Sequence, residues 1–322
     1  MSLPFPPPRV VVSGCIDFQP CRYNGQRIPN DLIRELGPFV EWVPVCPEVE
    51  IGLGTPREPV RLVARGDTDR LVQPATGADV TDDMDRFSTS FLDRLGDVDG
   101  FLLKSRSPSC GLHGVKVYHG PDASSTARRA PGRFAAAVLE RHPTVALEDE
   151  GRLRNYRIRE HFLTRLFALA RLREVRRMRD LVEFQTVYKL VLMAYNQTRM
   201  RELGRLVANP HRRPLDEILP EYRVELGLAL RTAPRYTSVI NVVEHAYGYV
   251  SDELSRDEKE FYRARLRRYR EGRIPVSALT SVVEAWATRF GVDYLLRQAL
   301  FRPFPEELVS LSDSGKGRSG RT

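Results

Sequence analysis

The chain has 322 residues, of which 42% are hydrophobic, so it is long enough to bury two moderate cores. It has no run of about 18 apolar residues, which excludes a membrane-spanning helix, and its proline-rich start lacks the apolar segment of a signal peptide. Four cysteines are too few for a disulfide scaffold, and we expect a soluble cytoplasmic protein whose thiols bind a metal, act in catalysis or lie buried.

The net charge of +8 is unevenly distributed along the chain. Residues 151–322 carry 33 Lys and Arg against 21 Asp and Glu, whereas residues 1–150 carry 17 against 21. Arginines at 171–179 and 263–270 contribute much of this excess. A basic half is typical either of a solvated helical surface or of a protein that binds a polyanion, since Lys and Arg displace the counterions of phosphates. The charge therefore indicates a possible partner class without identifying the partner.

The first half alternates short β-branched runs with stretches of helical pattern. The runs at 9–12, 40–45 and 101–103 predict strands, because they are apolar and bounded by Gly, Pro and Ser. Residues 30–36 and 82–95 have helical potential. Alternation of this kind favours a parallel sheet, so we predict an α/β parallel-sheet domain in the first half.

The second half shows the pattern of long helices. Helices are predicted at 158–169, 184–194, 238–254, 257–269, 276–290 and 292–300. We therefore predict that residues 1–148 form the α/β domain and that residues 149–311 form a mainly α-helical C-terminal domain. Residues 312–322 are Ser, Gly and charged residues without apolar anchors, which predicts a disordered tail.

Three of the four cysteines directly follow predicted strands. Cys15, Cys46 and Cys110 stand in loops rich in Gly, Pro and Ser. The carboxyl ends of parallel strands lie along one edge of a sheet, where such folds bind ligands, so we expect these thiols to converge. The chain lacks the paired C-x-x-C spacing of structural zinc sites, and three thiolates with an open fourth position suit an iron-sulfur cluster. Buried cysteines without a ligand are the alternative.

Other residues near these cysteines are candidates for proton chemistry or ligation. Glu48 stands two residues after the second cysteine, where it could activate water, and its alternative is a surface carboxylate. Ser107 could hydrogen-bond a substrate or simply form a turn before a proline. His113 and Lys104 are weaker candidates. Cys21, in a turn-rich segment, could be a ligand, a resolving thiol or a neighbour, and it is left outside the predicted ligand set.

Five motifs follow one another in the first half. They are SGC at 13–15, CRYNG at 21–25, VCPE at 45–48, GTPREP at 54–59 and KSRSPSCG at 104–111. Together they resemble the TudS family of thiouracil desulfidases. That resemblance implies a Rossmann-like domain with a 4Fe-4S cluster held by Cys15, Cys46 and Cys110, one iron of which takes the substrate sulfur. It also implies that Glu48 and Ser107 assist the reaction.

A second set of motifs occupies the other half. They are HF at 161–162, FQ at 184–185, YKLVLMAY at 188–195, LGRLVA at 203–208, EHAYGY at 244–249, YREGRIP at 269–275 and PFPEEL at 303–308. They are similar to the YbgA-type domain, except that Tyr188 and Tyr195 stand where that domain usually has histidines. The fusion of the two domains resembles the RudS-type desulfidases, which convert 4-thiouridine in transfer RNA to uridine. The resemblance therefore implies transfer RNA as the partner of the basic helical half.

These observations lead to one functional hypothesis and three alternatives. The hypothesis is an enzyme that removes sulfur from thiolated uracil, foremost 4-thiouridine in transfer RNA, by hydrolysis at a 4Fe-4S cluster with Glu48 as the base. The first alternative is a desulfidase of free thiouracil or thiouridine nucleosides. The second is a non-catalytic nucleic-acid-binding protein with structural cysteines. The third is a sulfur-trafficking protein that carries a persulfide.

Overall fold

The computed structural model describes residues 5–66 and 68–309. The described residues form two compact units, the N-terminal unit (Pro7–Phe162) and the C-terminal unit (Leu163–Val309 with residues 5–6). The tail predicted at 312–322 lies outside the described residues. No helix in the described part of the chain combines the length and apolar content that crossing a membrane requires.

The N-terminal unit contains two β-sheets. Its strands are β1 (Arg9–Ser13), β2 (Glu41–Val45), β3 (Arg61–Arg65), β4 (Thr68–Gln73), β5 (Ala78–Asp79), β6 (Gly100–Leu103), β7 (Val115–Tyr118), β8 (Thr126–Ala130) and β9 (Ala146–Asp149). The first sheet has the order β2-β1-β6-β9, and all its neighbouring strands are parallel. Val11 of β1 pairs with Val43 on one side and Phe101 on the other. The predicted parallel sheet is therefore present.

The second sheet was not predicted from the sequence. Its order is β5-β4-β3-β7-β8, with antiparallel neighbours except for the parallel pair β3 and β7. The chain makes β3, β4 and β5 between β2 and β6, and it makes β7 and β8 between β6 and β9. The edge strand β8 exposes Arg128 and Arg129, and such charges hinder pairing with further strands.

Four helices lie wholly within the N-terminal unit. They are α1 (Asp31–Leu36), α2 (Pro47–Glu50), α3 (Thr81–Arg94) and α4 (Arg133–Arg141). Asn30 caps α1, because its side-chain oxygen accepts the backbone N–H of Ile33 at 3.1 Å. Helix α3 buries Met84, Ser88 and Leu92, whose spacing of four residues places them on one face. That face covers the core and leaves the charged residues of α3 to solvent.

The remaining helices build the C-terminal unit. They are α5 (Tyr156–Arg173), which begins in the N-terminal unit, α6 (Met178–Tyr195), α7 (Gln197–Ala208), α8 (Leu215–Ala229), α9 (Tyr236–Gly248), α10 (Arg256–Arg270), α11 (Ser277–Phe290) and α12 (Asp293–Leu296). Single 3₁₀ turns occur at Gly37–Phe39, Arg152–Arg154, Ser251–Glu253 and Glu306–Leu308. The predicted fold class, an α/β parallel-sheet domain followed by a mainly α-helical domain, is confirmed. The compact units divide within α5, whereas the predicted domain boundary at 148/149 falls at the end of β9.

Two predicted helices are shorter in the structure. The helix expected at 238–254 ends at Gly248, because the chain then enters the turn Ser251–Glu253. The helix expected at 292–300 is reduced to α12. After α12 the chain is held by hydrogen bonds between the side chain of Gln298 and the backbone of α6. Gln298 accepts the N–H of Leu190 at 3.2 Å and donates to the carbonyl of Thr186 at 2.8 Å.

Candidate active site

The three predicted ligand cysteines lie at the carboxyl edge of the first sheet. Cys15 follows β1, Cys46 follows β2 and is the N-cap residue of α2, and Cys110 lies in the loop after β6. The backbone N–H of Gly14 donates to the carbonyl of Val45 at 2.7 Å, which ties the ends of β1 and β2 together. Cys110 is buried, whereas Cys15 and Cys46 are partly exposed. The sheet therefore brings together cysteines that are far apart in the sequence.

The fourth cysteine, Cys21, joins this group. Its side chain is buried, its thiol interacts with the thiol of Cys15, and its backbone carbonyl accepts a hydrogen bond from the Cys46 thiol at 3.6 Å. The loop that carries Cys21 is closed by a hydrogen bond from the N–H of Ile28 to the carbonyl of Cys15 at 2.8 Å. The contact with Cys15, together with burial, raises the pKa of the Cys21 thiol to about 11. Four thiols, rather than the three predicted ligands alone, therefore share this edge.

Two of the other thiols are also shifted toward the protonated form. The hydrogen bond to Cys21 and burial raise the pKa of Cys46. Burial raises the pKa of Cys110, although hydrogen bonds from Ser13 and Ser107 act in the opposite direction. Metal ligation requires the thiolate, so binding of a metal group here has to displace protons from these residues.

Ser107 shapes the loop that holds Cys110. Its hydroxyl oxygen accepts hydrogen bonds from the backbone N–H groups of Ser109 at 3.2 Å and Cys110 at 3.0 Å. Gly132 packs directly against this loop, because a Cβ at that position would lie 2.6 Å from the carbonyl oxygen of Ser109. The N–H of Gly132 donates to the carbonyl of Gly111 at 2.7 Å. These contacts are those of a turn serine that also reaches the Cys110 thiol.

Glu48 is held on both of its carboxylate oxygens. It lies in the first turn of α2 and is 9% exposed. Arg57 donates from Nε and from Nη2 to Oε2 of Glu48, at 2.9 and 2.7 Å. The hydroxyl of Ser109 donates to Oε1 at 2.8 Å. The alternative of a freely solvated surface carboxylate is therefore wrong for Glu48.

The two weaker candidates contact carboxylates at the end of β9. Lys104 pairs with Glu150, whose Oε2 also accepts the backbone N–H of Ser105 at 2.8 Å. His113 Nε2 lies 3.3 Å from a carboxylate oxygen of Asp149. These contacts attach the loop after β6 to the end of β9, and they account for both side chains structurally.

Comparison with known proteins assigns the first half of the chain. A family model described as "2-thiouracil desulfurase" matches residues 10–150. The uncharacterized protein YbbK of Bacillus subtilis (strain 168) is 33% identical over 109 residues, which cover 32% of this chain and 72% of YbbK. The chain belongs to the 2-thiouracil desulfurase family. The family predicted from the five motifs is thereby confirmed.

Three further comparisons describe what the two halves of this 2-thiouracil desulfurase family member resemble. A solved structure of the 4Fe-4S-dependent thiouracil desulfidase TudS has 31% sequence identity, covers 45% of this chain and 93% of TudS, and has a TM-score of 0.36.

The second half matches a family model described as "Protein of unknown function (DUF1722)" over residues 189–305. The uncharacterized protein YbgA of Escherichia coli (strain K12) is 27% identical over 161 residues, covering 48% of this chain and 93% of YbgA. The predicted fusion of a TudS-like with a YbgA-like domain is confirmed.

Two residues of this desulfurase site received no role from the sequence. Arg57 and Ser109 both stand in motifs that carried the family resemblance, but their contact with Glu48 depends on loop folding. The family resemblance implied Ser107 as the assisting hydroxyl, whereas the hydroxyl that touches Glu48 belongs to Ser109. The only available signal was the presence of an arginine and a second serine within the same short motifs.

Proposed function

We propose that the chain is a 4Fe-4S-dependent desulfidase that removes sulfur from thiolated uracil, with 4-thiouridine in transfer RNA as its substrate. The observation that carries the proposal is the grouping of four free thiols at one edge of a parallel sheet, beside the carboxylate of Glu48, which Arg57 holds by hydrogen bonds. Membership of the 2-thiouracil desulfurase family supports the substrate class. Free thiols also support a cytoplasmic location, since reducing compartments keep cysteines unpaired.

The thiols fit an iron-sulfur cluster better than a single metal ion. Among the residues that the structure describes, no three His, Cys, Asp or Glu side chains are grouped so that they could hold one ion. A cluster does not require such a group, because each iron takes its own thiolate, here from Cys15, Cys46 and Cys110. Arg57 Nη2 lies 3.9 Å from Cys46 Sγ, and Ser13 hydrogen-bonds the Cys110 thiol, as donors near cluster ligands commonly do. When bound, the cluster supplies a Lewis acid for the thiocarbonyl sulfur and an acceptor for sulfide.

The chain's own residues supply proton transfer and loop geometry. Water adds its oxygen to the thiocarbonyl carbon, the carbon-sulfur bond breaks, and the products are a carbonyl and hydrogen sulfide. Glu48 takes one proton from the attacking water and passes it to the sulfur. It then takes the second proton from the added hydroxyl as the carbon-sulfur bond breaks and passes it to the departing hydrosulfide, so both protons of water end on sulfur and no electrons are gained or lost. Ser107 assists by fixing the backbone of the Cys110 loop through two N–H groups.

The C-terminal unit offers a basic surface for the RNA backbone on α10. Arg263 and Arg267 lie four residues apart on one face of this helix, Arg268 points about 100° away from Arg267 around the helix, and all three are exposed. Phe261 is 44% exposed and lies under the guanidinium of Arg265, 4.8 Å from the ring centroid. Exposed arginines contact phosphates and an exposed aromatic face stacks on unpaired bases, so α10 combines the features that RNA recognition uses.

The proposal is tested with protein prepared without oxygen and transfer RNA that contains 4-thiouridine. The near-ultraviolet absorption of the thiocarbonyl group should disappear while sulfide is released. Cys110→Ala should lose both the broad visible absorption of the cluster and the activity. A loaded cluster that leaves the RNA band unchanged but converts free 4-thiouracil would move the substrate to the free base. Failure to assemble any cluster would refute the proposed enzyme.

The RNA surface is tested by its salt dependence. The combined change Arg263→Gln, Arg267→Gln and Arg268→Gln should flatten the slope of log binding constant against log salt by about 2 to 3, because each phosphate contact contributes roughly 0.7 to 0.9. Turnover of free 4-thiouracil should stay at the wild-type level. The matched control replaces the arginines at 176, 177 and 179, which already pair with Glu174 or Asp180. Equal flattening in both triple variants would refute α10 as the RNA-binding surface.

A further inference from the structure

Arg57 is a buried guanidinium whose N–H groups are almost all used within the site. Its side chain is 4% exposed. Nε and Nη2 both donate to Oε2 of Glu48, and Nη1 donates to the carbonyls of Cys21 at 3.0 Å and Gly54 at 2.9 Å. Nη2 also lies 3.9 Å from Cys46 Sγ. One planar group therefore connects the candidate base, one cluster ligand and two loops.

The contacts distinguish the two oxygens of Glu48. A carboxylate oxygen has two acceptor positions, and both positions of Oε2 are taken by Arg57. Among the residues that the structure describes, Ser109 alone donates a hydrogen bond to Oε1, and its side chain is fully buried. Oε1 consequently keeps one acceptor position open. A water molecule that gives up a proton to Glu48 has to approach this oxygen.

We propose that Arg57 is a positioning residue for desulfuration, and that it and Ser109 together make Oε1 the proton-accepting atom of Glu48. This inference rests on the proposed function, because it requires Glu48 to act as the base. Arg57 touches neither substrate nor the reacting atoms in this assignment. It holds the carboxylate of Glu48 in one orientation and keeps that carboxylate at a fixed distance from Cys46.

Arginine is required at this position for its shape as well as for its charge. The planar fork offers five N–H donors in fixed directions, and here they serve a carboxylate oxygen and two backbone carbonyls at once. A lysine ammonium is a single charged centre and cannot span these acceptors. Arg57→Lys therefore keeps the positive charge but releases the carboxylate from its fixed orientation.

The test compares full-length Arg57→Ala and Arg57→Lys with wild-type protein, using free 4-thiouracil as substrate. Arg57→Ala should lower kcat about 10²-fold, the usual effect of displacing a catalytic group by an ångström. KM should change less than about twofold, because substrate binding does not involve Arg57. Arg57→Lys should also lower kcat, and low-millimolar guanidinium should partly restore Arg57→Ala. The control, Arg70→Ala, removes an arginine paired with Asp79 in the second sheet and should behave as wild type.

Two measurements without turnover separate positioning from folding. Iron content per chain should equal that of wild type in both Arg57 variants. The reduction potential of the cluster should fall in Arg57→Ala, because a positive N–H donor near Cys46 Sγ is lost, and should fall less in Arg57→Lys. Wild-type kcat in Arg57→Lys, or iron loss in both variants, would overturn the inference. If wild type converts neither 4-thiouracil nor 4-thiouridine in transfer RNA, the proposed function itself is wrong. If Glu48→Gln is fully active, the assignment of Glu48 as the base is wrong.

Discussion

The Glu48–Arg57 ion pair is buried deeply enough for its loss to be measured as a loss of folding stability. The two side chains are 12% and 4% exposed. Removing one partner of a buried pair typically costs about 3–5 kcal/mol, because the remaining charge stays buried without compensation. We expect about 3 kcal/mol for Glu48→Ala, at the low end of this range, because Arg57 keeps the carbonyls of Cys21 and Gly54. For a unit of this size the melting temperature should fall by roughly 6–12 °C.

Urea unfolding of iron-free protein measures this change. The chain has two tryptophans, Trp42 in β2 and Trp286 in α11, so each unit carries one fluorescent reporter. In a Trp286→Phe background, fluorescence follows the N-terminal unit alone. The midpoint should shift to lower urea concentration while the slope of the free energy of unfolding against urea stays constant.

A double-mutant cycle decides whether the loss of stability comes from breaking the Glu48–Arg57 ion pair. Glu48→Ala and Arg57→Ala should each destabilise the protein, and the double variant should cost about 2 kcal/mol less than their sum, because neither charge is then left alone. The matched control is Arg70 with Asp79, whose side chains are 31% and 26% exposed. Its coupling should stay below about 1 kcal/mol. Strictly additive effects of the Glu48 and Arg57 variants would show that the ion pair does not form.

Three further predictions concern the loops around the thiols. Gly132→Ala should lower iron content, because the added Cβ collides with the backbone of the Cys110 loop, and iron analysis at wild-type loading would contradict that packing. Ser107→Ala should cost about 1 kcal/mol in urea unfolding, since two backbone N–H groups lose their acceptor, and no change would mean that water replaces the hydroxyl. In iron-free protein, Cys21 should react with iodoacetamide more slowly than the partly exposed Cys15, and its rate should rise with pH toward its pKa of about 11. Mass spectrometry of the alkylated peptides measures both rates, and a Cys21 rate that already levels off near pH 9, the ordinary thiol pKa, would contradict the raised pKa.

The strands of the first sheet differ in how well the sequence predicts them. β1 and β6 contain continuous apolar runs. β2 is an edge strand, which tolerates Pro44 because one side of an edge strand has no neighbour that needs a backbone N–H. β9 has the sequence ALED, which contains only two apolar residues and no alternation. Three strands of the second sheet carry arginines, as in RLVAR of β3 and TARRA of β8. Their pairing depends on contacts between distant segments, which local patterns do not contain.

Part of the site can likewise be predicted from local sequence patterns, and part depends on contacts between residues that are distant in the sequence. Cys15, Cys46 and Cys110 are predictable because each follows a strand, and parallel strands end at one edge. The approach of Cys21 depends on the closure of its loop onto Cys15, and that closure has no signal in residue spacing. The contact of Arg57 with Glu48 likewise depends on the path of the intervening loop.

The strand order of the first sheet determines how late in synthesis on the ribosome its strands can all pair. β1 is the first strand to be made, yet its neighbour β6 begins only at Gly100, and the last strand of the sheet ends at Asp149. Cys15 and Cys46 therefore leave the ribosome long before Cys110 can join them. A nascent chain of this kind holds two thiols without their partner, and pairings between such distant segments form slowly. Delivery of iron to the growing chain is productive only after the whole N-terminal unit has emerged.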